Sequence, residues 1–247
     1  MKFLKTILLS VGITSLLVCS INSYASGRTI DESLKVVEGG QLRFKILDGD
    51  VDFIVWDKQI IKVTGKLPDN NQELVFYNDG TDTVIKIESE KGYYDRSKHS
   101  WSSSDNEFKV YMPATTMLIA QSTSGDFAVD GLKAGVKAKN VSGDITIVNS
   151  GPTIEAFSSS GDIRLENCEG EIHVESVSGD VDAEVNTKRF EASTISGDVR
   201  ATLGEVERVE VSSVSGEIDL ELALSNKGTI EGSTVSGDIE IVFNQRD

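Results

Sequence analysis

The chain has 247 residues, with 22 glycines, 3 prolines and 2 cysteines, and its 40 acidic residues outnumber 24 basic ones. A formal charge of −16 excludes a basic surface of the kind that holds nucleic acid or anionic membranes, while it is compatible with cations. The cysteines are too few for a disulfide framework, so packing must hold the fold.

Lys2 and Lys5 precede an apolar stretch from Ile7 to Val18, and Ser23-Tyr24-Ala25 follows. A positive, then apolar, then small-residue order is that of a secretory signal peptide, which assigns residues 1–25 to a leader cut after Ala25. The apolar stretch is too short to span a bilayer. No later segment reaches the roughly 20 apolar residues a transmembrane helix needs. The expected mature chain is exported to the periplasm or cell surface, where its 22 basic and 40 acidic residues give a charge of −18. Cys19 invites a lipoprotein reading, but Val18 stands where the lipid-attachment motif wants a small residue. With the leader removed, Cys168 is the remaining thiol.

Residues 26–120 read as an irregular β region. Leu42–Ile46, Val51–Trp56, Ile60–Val63, Glu73–Phe76, Val84–Ile87 and Phe108–Tyr111 are short apolar or alternating runs between turn residues, the pattern of strands. Gly49-Asp50-Val51 resembles a degenerate form of the corner described below. No helix is predicted after the leader. The pattern breaks between Lys91 and Asn106, a polar, serine-rich stretch long enough for a loop. It holds Tyr93, Tyr94, His99 and Trp101. Large rings with polar edges suit exposed binding surfaces, so Tyr93, Tyr94 and Trp101 are the candidate ligand-binding residues.

Residues 121–247 are a repeat. Ser-Gly-Asp begins at Ser124, Ser142, Ser160, Ser178 and Ser196, 18 residues apart, then recurs as Ser215-Gly216-Glu217 and Ser236-Gly237-Asp238 after 19 and 21. Within one unit Ile163 and Leu165 alternate with Arg164 and Glu166, and Ile172 and Val174 with His173 and Glu175. Period-two alternation means strands with one buried face. A weaker nine-residue echo, Gly161-Asp162-Ile163 against Gly170-Glu171-Ile172, predicts two strands and two bends per coil. Such a recurrence stacks like on like: Ile145, Ile163, Val181 and Val199 form one expected core column, and Val141, Val177, Ile195, Val214 and Val235 another. Coiling gives each backbone group partners above and below, which a flat meander with an uncovered apolar face does not. The expected fold is an all-β parallel β-solenoid of about 18 residues per coil. Each corner glycine is expected at positive φ. Asp126, Asp144, Asp162, Asp180 and Asp198 form an acidic column, expected to be solvated or hydrogen-bonded to corner backbone rather than bridged by cations.

The Gly49–Trp56 segment, Val110-Tyr111-Met112-Pro113 and the serial Val-Ser-Gly-Asp units resemble the bacterial "putative adhesin" family of exported β-strand-repeat proteins, a domain of unknown function. The resemblance implies a β-helix-like fold and an envelope location. It brings no functional residue with it.

Catalysis on such a scaffold requires converging acids, bases or metal ligands. Here the acidic residues follow the repeat, and His99 and His173 are far apart in sequence, so no catalytic, cofactor-binding or metal residue is assigned. Calcium-binding β-rolls place a second glycine before the aspartate in both halves of each coil, and this chain has one Gly-Asp per coil. Cys168 falls in register with Leu132, Ser150 and Asn186 and reads as a buried structural thiol; Trp56 reads as core. The functional expectation is a non-catalytic scaffold or binding module for an envelope protein or glycan. The rival is a polysaccharide-active enzyme.

Overall fold

The computed structural model describes residues 28–67, 72–89 and 107–244. The expected leader with Cys19, and the stretch holding Tyr93, Tyr94, His99 and Trp101, lie outside the described residues. Among those described there are 17 strands and no helix. The first half supplies β1 (Arg28–Lys35), β2 (Gln41–Lys45), β3 (Asp50–Trp56), β4 (Ile60–Leu67), β5 (Gln72–Asp79), β6 (Asp82–Ser89) and β7 (Glu107–Pro113). The strands read from the sequence there all form. Next come β8 (Met117–Gln121), β9 (Phe127–Asp130), β10 (Val136–Ser142), β11 (Ile145–Val148) and β12 (Thr153–Ser160). The long β13 (Ile163–Ser178), β14 (Val181–Ser196), β15 (Val199–Ser215) and β16 (Ile218–Ser236) follow, ending in β17 (Ile239–Phe243).

These strands stack as two parallel ladders, and each coil contributes one rung to each. One ladder runs β6–β2–β8–β10–β12 and continues through the second halves of β13 to β16. The other runs β7–β3–β9–β11 and continues through their first halves to β17. The chain is therefore a parallel β-solenoid. In its first half, spatial order departs from chain order: the coil made by β2 and β3 lies between that of β6 and β7 and that of β8 and β9. At this end both ladders turn antiparallel, as β5 pairs β6, β4 pairs β7 and β1 pairs β4.

Ile145, Ile163, Val181 and Val199 stack in register and are fully buried, as the recurrence requires. Coils near the N-terminal end carry packed rings. Phe53 meets Phe44 edge-on at 5.2 Å and Phe127 at 5.8 Å. Later coils use smaller residues such as Ala183, Ala192 and Ala201.

The second expected core column is not core. Val141, Ile195, Val214 and Val235 are 50%, 53%, 47% and 82% exposed, and Val177 is half-buried. Alternation gives the reason, because the residue before each of them points inward instead: Asn140, Ser176, Thr194 and Ser213 are buried. Asn140, Thr194 and Ser213 serve the corner, as does the buried Ser158, whereas the Ser176 hydroxyl has no hydrogen-bond partner among the described residues. Asn140 Nδ2 donates to the Gly125 carbonyl at 2.6 Å, Ser158 Oγ to Gly143 at 3.3 Å, Thr194 Oγ1 to Gly179 at 3.5 Å and Ser213 Oγ to Gly197 at 3.3 Å. An inward valine would remove that donor and leave a carbonyl unmatched, which costs more than an exposed valine does.

The corner glycines also need a different explanation. Gly125 and Gly143 do have φ of 114° and 138°, but Gly161, Gly179, Gly197 and Gly216 lie outside the left-handed region. What all of them share is close stacking: a Cβ on any would sit under 3 Å from the carbonyl of the glycine in the preceding coil.

Candidate binding surfaces

The aspartate column is built into the backbone. Asp50 Oδ1 accepts from the Asp126 N–H, Asp126 from Asp144, Asp144 from Asp162, Asp162 from Asp180 and Asp180 from Asp198, each at 2.8 Å. Asp198 continues the ladder to the Glu217 N–H at 2.9 Å. Each carboxylate thus satisfies the corner amide of the next coil, and Gly49-Asp50-Val51 is its first corner. The expected hydrogen bonding to corner backbone is present, with the amide supplied by the neighbouring coil.

Along the outer face of the second ladder lies an open groove of about 520 Å³. It sits where the inward column reads Leu165, Ala183, Ala201, Leu220. Arg164 and Arg200 line the groove with Asp182, Glu184, Asp219 and Glu221 among others. Arg164 Nε bonds Glu166 at 2.6 Å, and Arg200 Nη2 bonds Asp198 at 2.7 Å with Asp180 and Asp219 within 4 Å. The groove is a net acidic surface whose cations are already engaged. Among the described residues no three His, Cys, Asp or Glu converge as a metal site.

On the opposite face His173 is held between two carboxylates, Nε2 to Glu175 at 2.8 Å and Nδ1 to Glu191 at 3.2 Å. Partial burial lowers its pKa, but the Glu175 hydrogen bond and the charges of Glu191 and Glu175 outweigh that and raise it above the ordinary value. Cys168 is buried, its Sγ 3.4 Å from the carbonyls of Ile147 and Glu166, and burial pushes the thiol pKa up. Asn167 at φ 51° introduces a bulge there, so Cys168 pairs with Val185 rather than Asn186. Trp56 is half-buried rather than core. Its indole N–H donates to the Ile60 carbonyl at 2.7 Å, its ring packs 5.3 Å from Tyr111, and the Lys58 ammonium lies 4.9 Å above it.

Two stacked parallel ladders around a continuous core, with charged columns outside and no helix among the described residues, define a β-solenoid of the repeat-scaffold class. Residues 39–247 match the family model Toastrack DUF4097, and the chain belongs to that family. Among solved structures it is similar to one described as "a putative adhesin" from Bacteroides fragilis, at 16% identity and a TM-score of 0.60, covering 87% of this chain and 97% of that one. A "putative cell adhesion protein" from Clostridium sporogenes matches at 14% identity and a TM-score of 0.38, covering 88% and 100%. A "putative lipid binding protein" from Parabacteroides distasonis matches at 13% and 0.37, covering 86% and 96%. No curated protein matches. The first likeness shows the fold.

Proposed function

We propose that this protein is an exported, non-catalytic binding module of the cell envelope, a rigid solenoid that presents surfaces to an envelope protein or glycan. The supporting observation is the exterior ridge formed by Val141, Ile195, Val214 and Val235, with Leu47 at 45% exposure beside the first corner. An acidic, soluble surface gains nothing from a row of uncovered apolar side chains unless something covers them, and such rows mark interaction sites. The aromatics Tyr93, Tyr94 and Trp101 are the second contact element in this reading, carried by the segment that joins β6 to β7.

The test is binding of purified protein to envelope extracts, alongside incubation with cell-wall and capsular glycans. Retention that weakens in the double variant Ile195→Asp, Val214→Asp is the expected result. New reducing ends from any glycan would overturn the reading in favour of a polysaccharide-active enzyme.

A further inference from the structure

The two ends of the solenoid differ. At the N-terminal end the two ladders finish in β1, beyond β4, and β5, beyond β6, and β1 carries Arg28, Asp31, Glu32 and Lys35 along its eight residues, the charged edge by which sheets discourage further pairing. At the C-terminal end nothing comparable is present among the described residues. Ile239, Ile241 and Phe243 continue the inward columns of Ile218, Leu220 and Leu222. Those three are 0%, 2% and 0% exposed, whereas Ile239 is 39% and Phe243 57% exposed, and Ile241 is half-buried. Ile230 likewise follows the buried Val209 yet is half-buried. The last coil therefore shows the core itself in cross-section, flanked by two strand edges.

The backbone edge is open as well. The Asp238 carbonyl accepts from the Ile218 N–H, and the Asn244 N–H donates to Leu222. Alternate residues of a strand bond to opposite sides, so the N–H and C=O groups of Ile239, Ile241 and Phe243 face outward along the solenoid axis.

We propose that this end is an association surface for a second copy of the chain, joined tail to tail about a two-fold axis. A lone peptide strand would cover one edge and leave the other edge and the core between them open. The end coil of a second copy offers both edges at the same separation with the same apolar filling. A two-fold axis perpendicular to the solenoid makes the joined strands antiparallel, keeps inward residues facing inward, and closes the assembly at two copies. Copies of an acidic protein repel, but Thr229–Ser236 and Ile239–Phe243 carry between them only Glu231 and Glu240. The charged β1 end disfavours head-to-tail growth.

Sedimentation velocity over a range of concentrations, paired with hydrogen exchange at Ile239, Ile241 and Phe243, tests this. A monomer–dimer equilibrium is expected, with exchange at the three amides slowing as the dimer fills. Ile241→Pro removes an outward N–H that the monomer does not use, and it should weaken the dimer by at least about tenfold. Its circular dichroism should be unchanged. Exchange in the unaltered protein needs no substitution, so it remains decisive if the proline frays the last coil. A monomer at every concentration overturns the proposal, whether the amides exchange freely or are shielded by the chain's own residues. So do open-ended oligomers, or a dimer indifferent to Ile241→Pro.

Discussion

At each Ser-Gly-Asp corner the glycine lies on the carbonyl of the glycine one coil before it, which leaves no room for a methyl group. Gly179→Ala would drive its Cβ into the Gly161 carbonyl, a backbone contact that cannot rotate away, and should cost about 1–3 kcal/mol. Ser178→Ala, one residue earlier and exposed, should change stability by less than about 0.5 kcal/mol. Thermal unfolding of the two variants makes the comparison. His173 supplies a second residue-scale prediction. Its folded pKa is raised, so its stabilising contribution is fully present below the unfolded value of about 6.5 and is lost as pH rises through the folded value. The Tm difference between the natural protein and His173→Gln should therefore be larger at about pH 5.5 than at about pH 9. Equal differences at both would show that the two carboxylate contacts do not persist in solution.

Within a coil, the two valine-rich columns look alike in sequence and behave oppositely. Ile163 is fully buried between Ile145 and Val181. Ile163→Asp would strand a charge in the core at a cost of several kcal/mol, a large share of a total stability of roughly 5–15, and should abolish cooperative unfolding and protease resistance. Ile195→Asp, on the exterior ridge, should fold and melt within a few degrees of the natural protein. A folded Ile163→Asp protein would contradict the shared core. The β6–β7 connection can be tested as an element too. β2 passes into β3 through the four residues 46–49, and deleting residues 92–104 would leave four, 90, 91, 105 and 106, between Ser89 and Glu107. That deletion should leave the circular dichroism of the sheet intact. Loss of binding to envelope extracts would place the contact on Tyr93, Tyr94 or Trp101; full retention would place it on the solenoid faces.

Across the whole molecule, carboxylates recur at every coil, and their mutual repulsion accumulates along the stack. Neighbouring charges about 5 Å apart repel by about 1 kcal/mol in water. The ladder from Asp50 to Asp198 offsets this by giving each carboxylate a backbone N–H. Because that role is already taken by amides, calcium is not required to bridge the column. Calcium should raise Tm only slightly and no more than magnesium at equal ionic strength, the effect of screening. A large calcium-selective rise in differential scanning calorimetry would reveal a metal ladder in place of the amide one.

The sequence by itself determined the solenoid, because an 18-residue clock combined with period-two alternation admits few ways to bury one face of every strand. It also marked the strands of the first half, whose apolar runs are local signals. Three things waited for the tertiary structure. Whether a valine beside the corner faces in or out depends on which neighbour must reach the glycine carbonyl of the adjacent coil, and that carbonyl is 15 or 16 residues away along the chain. The placement of the β2–β3 coil between two later ones depends on long-range pairing with no local signature. The exposed core of the last coil depends on what lies beyond its edge, since Ile239, Ile241 and Phe243 carry the same alternation as buried residues. Periodicity tells a side chain which face of its strand it occupies; only the stacked neighbours decide whether that face meets protein or water.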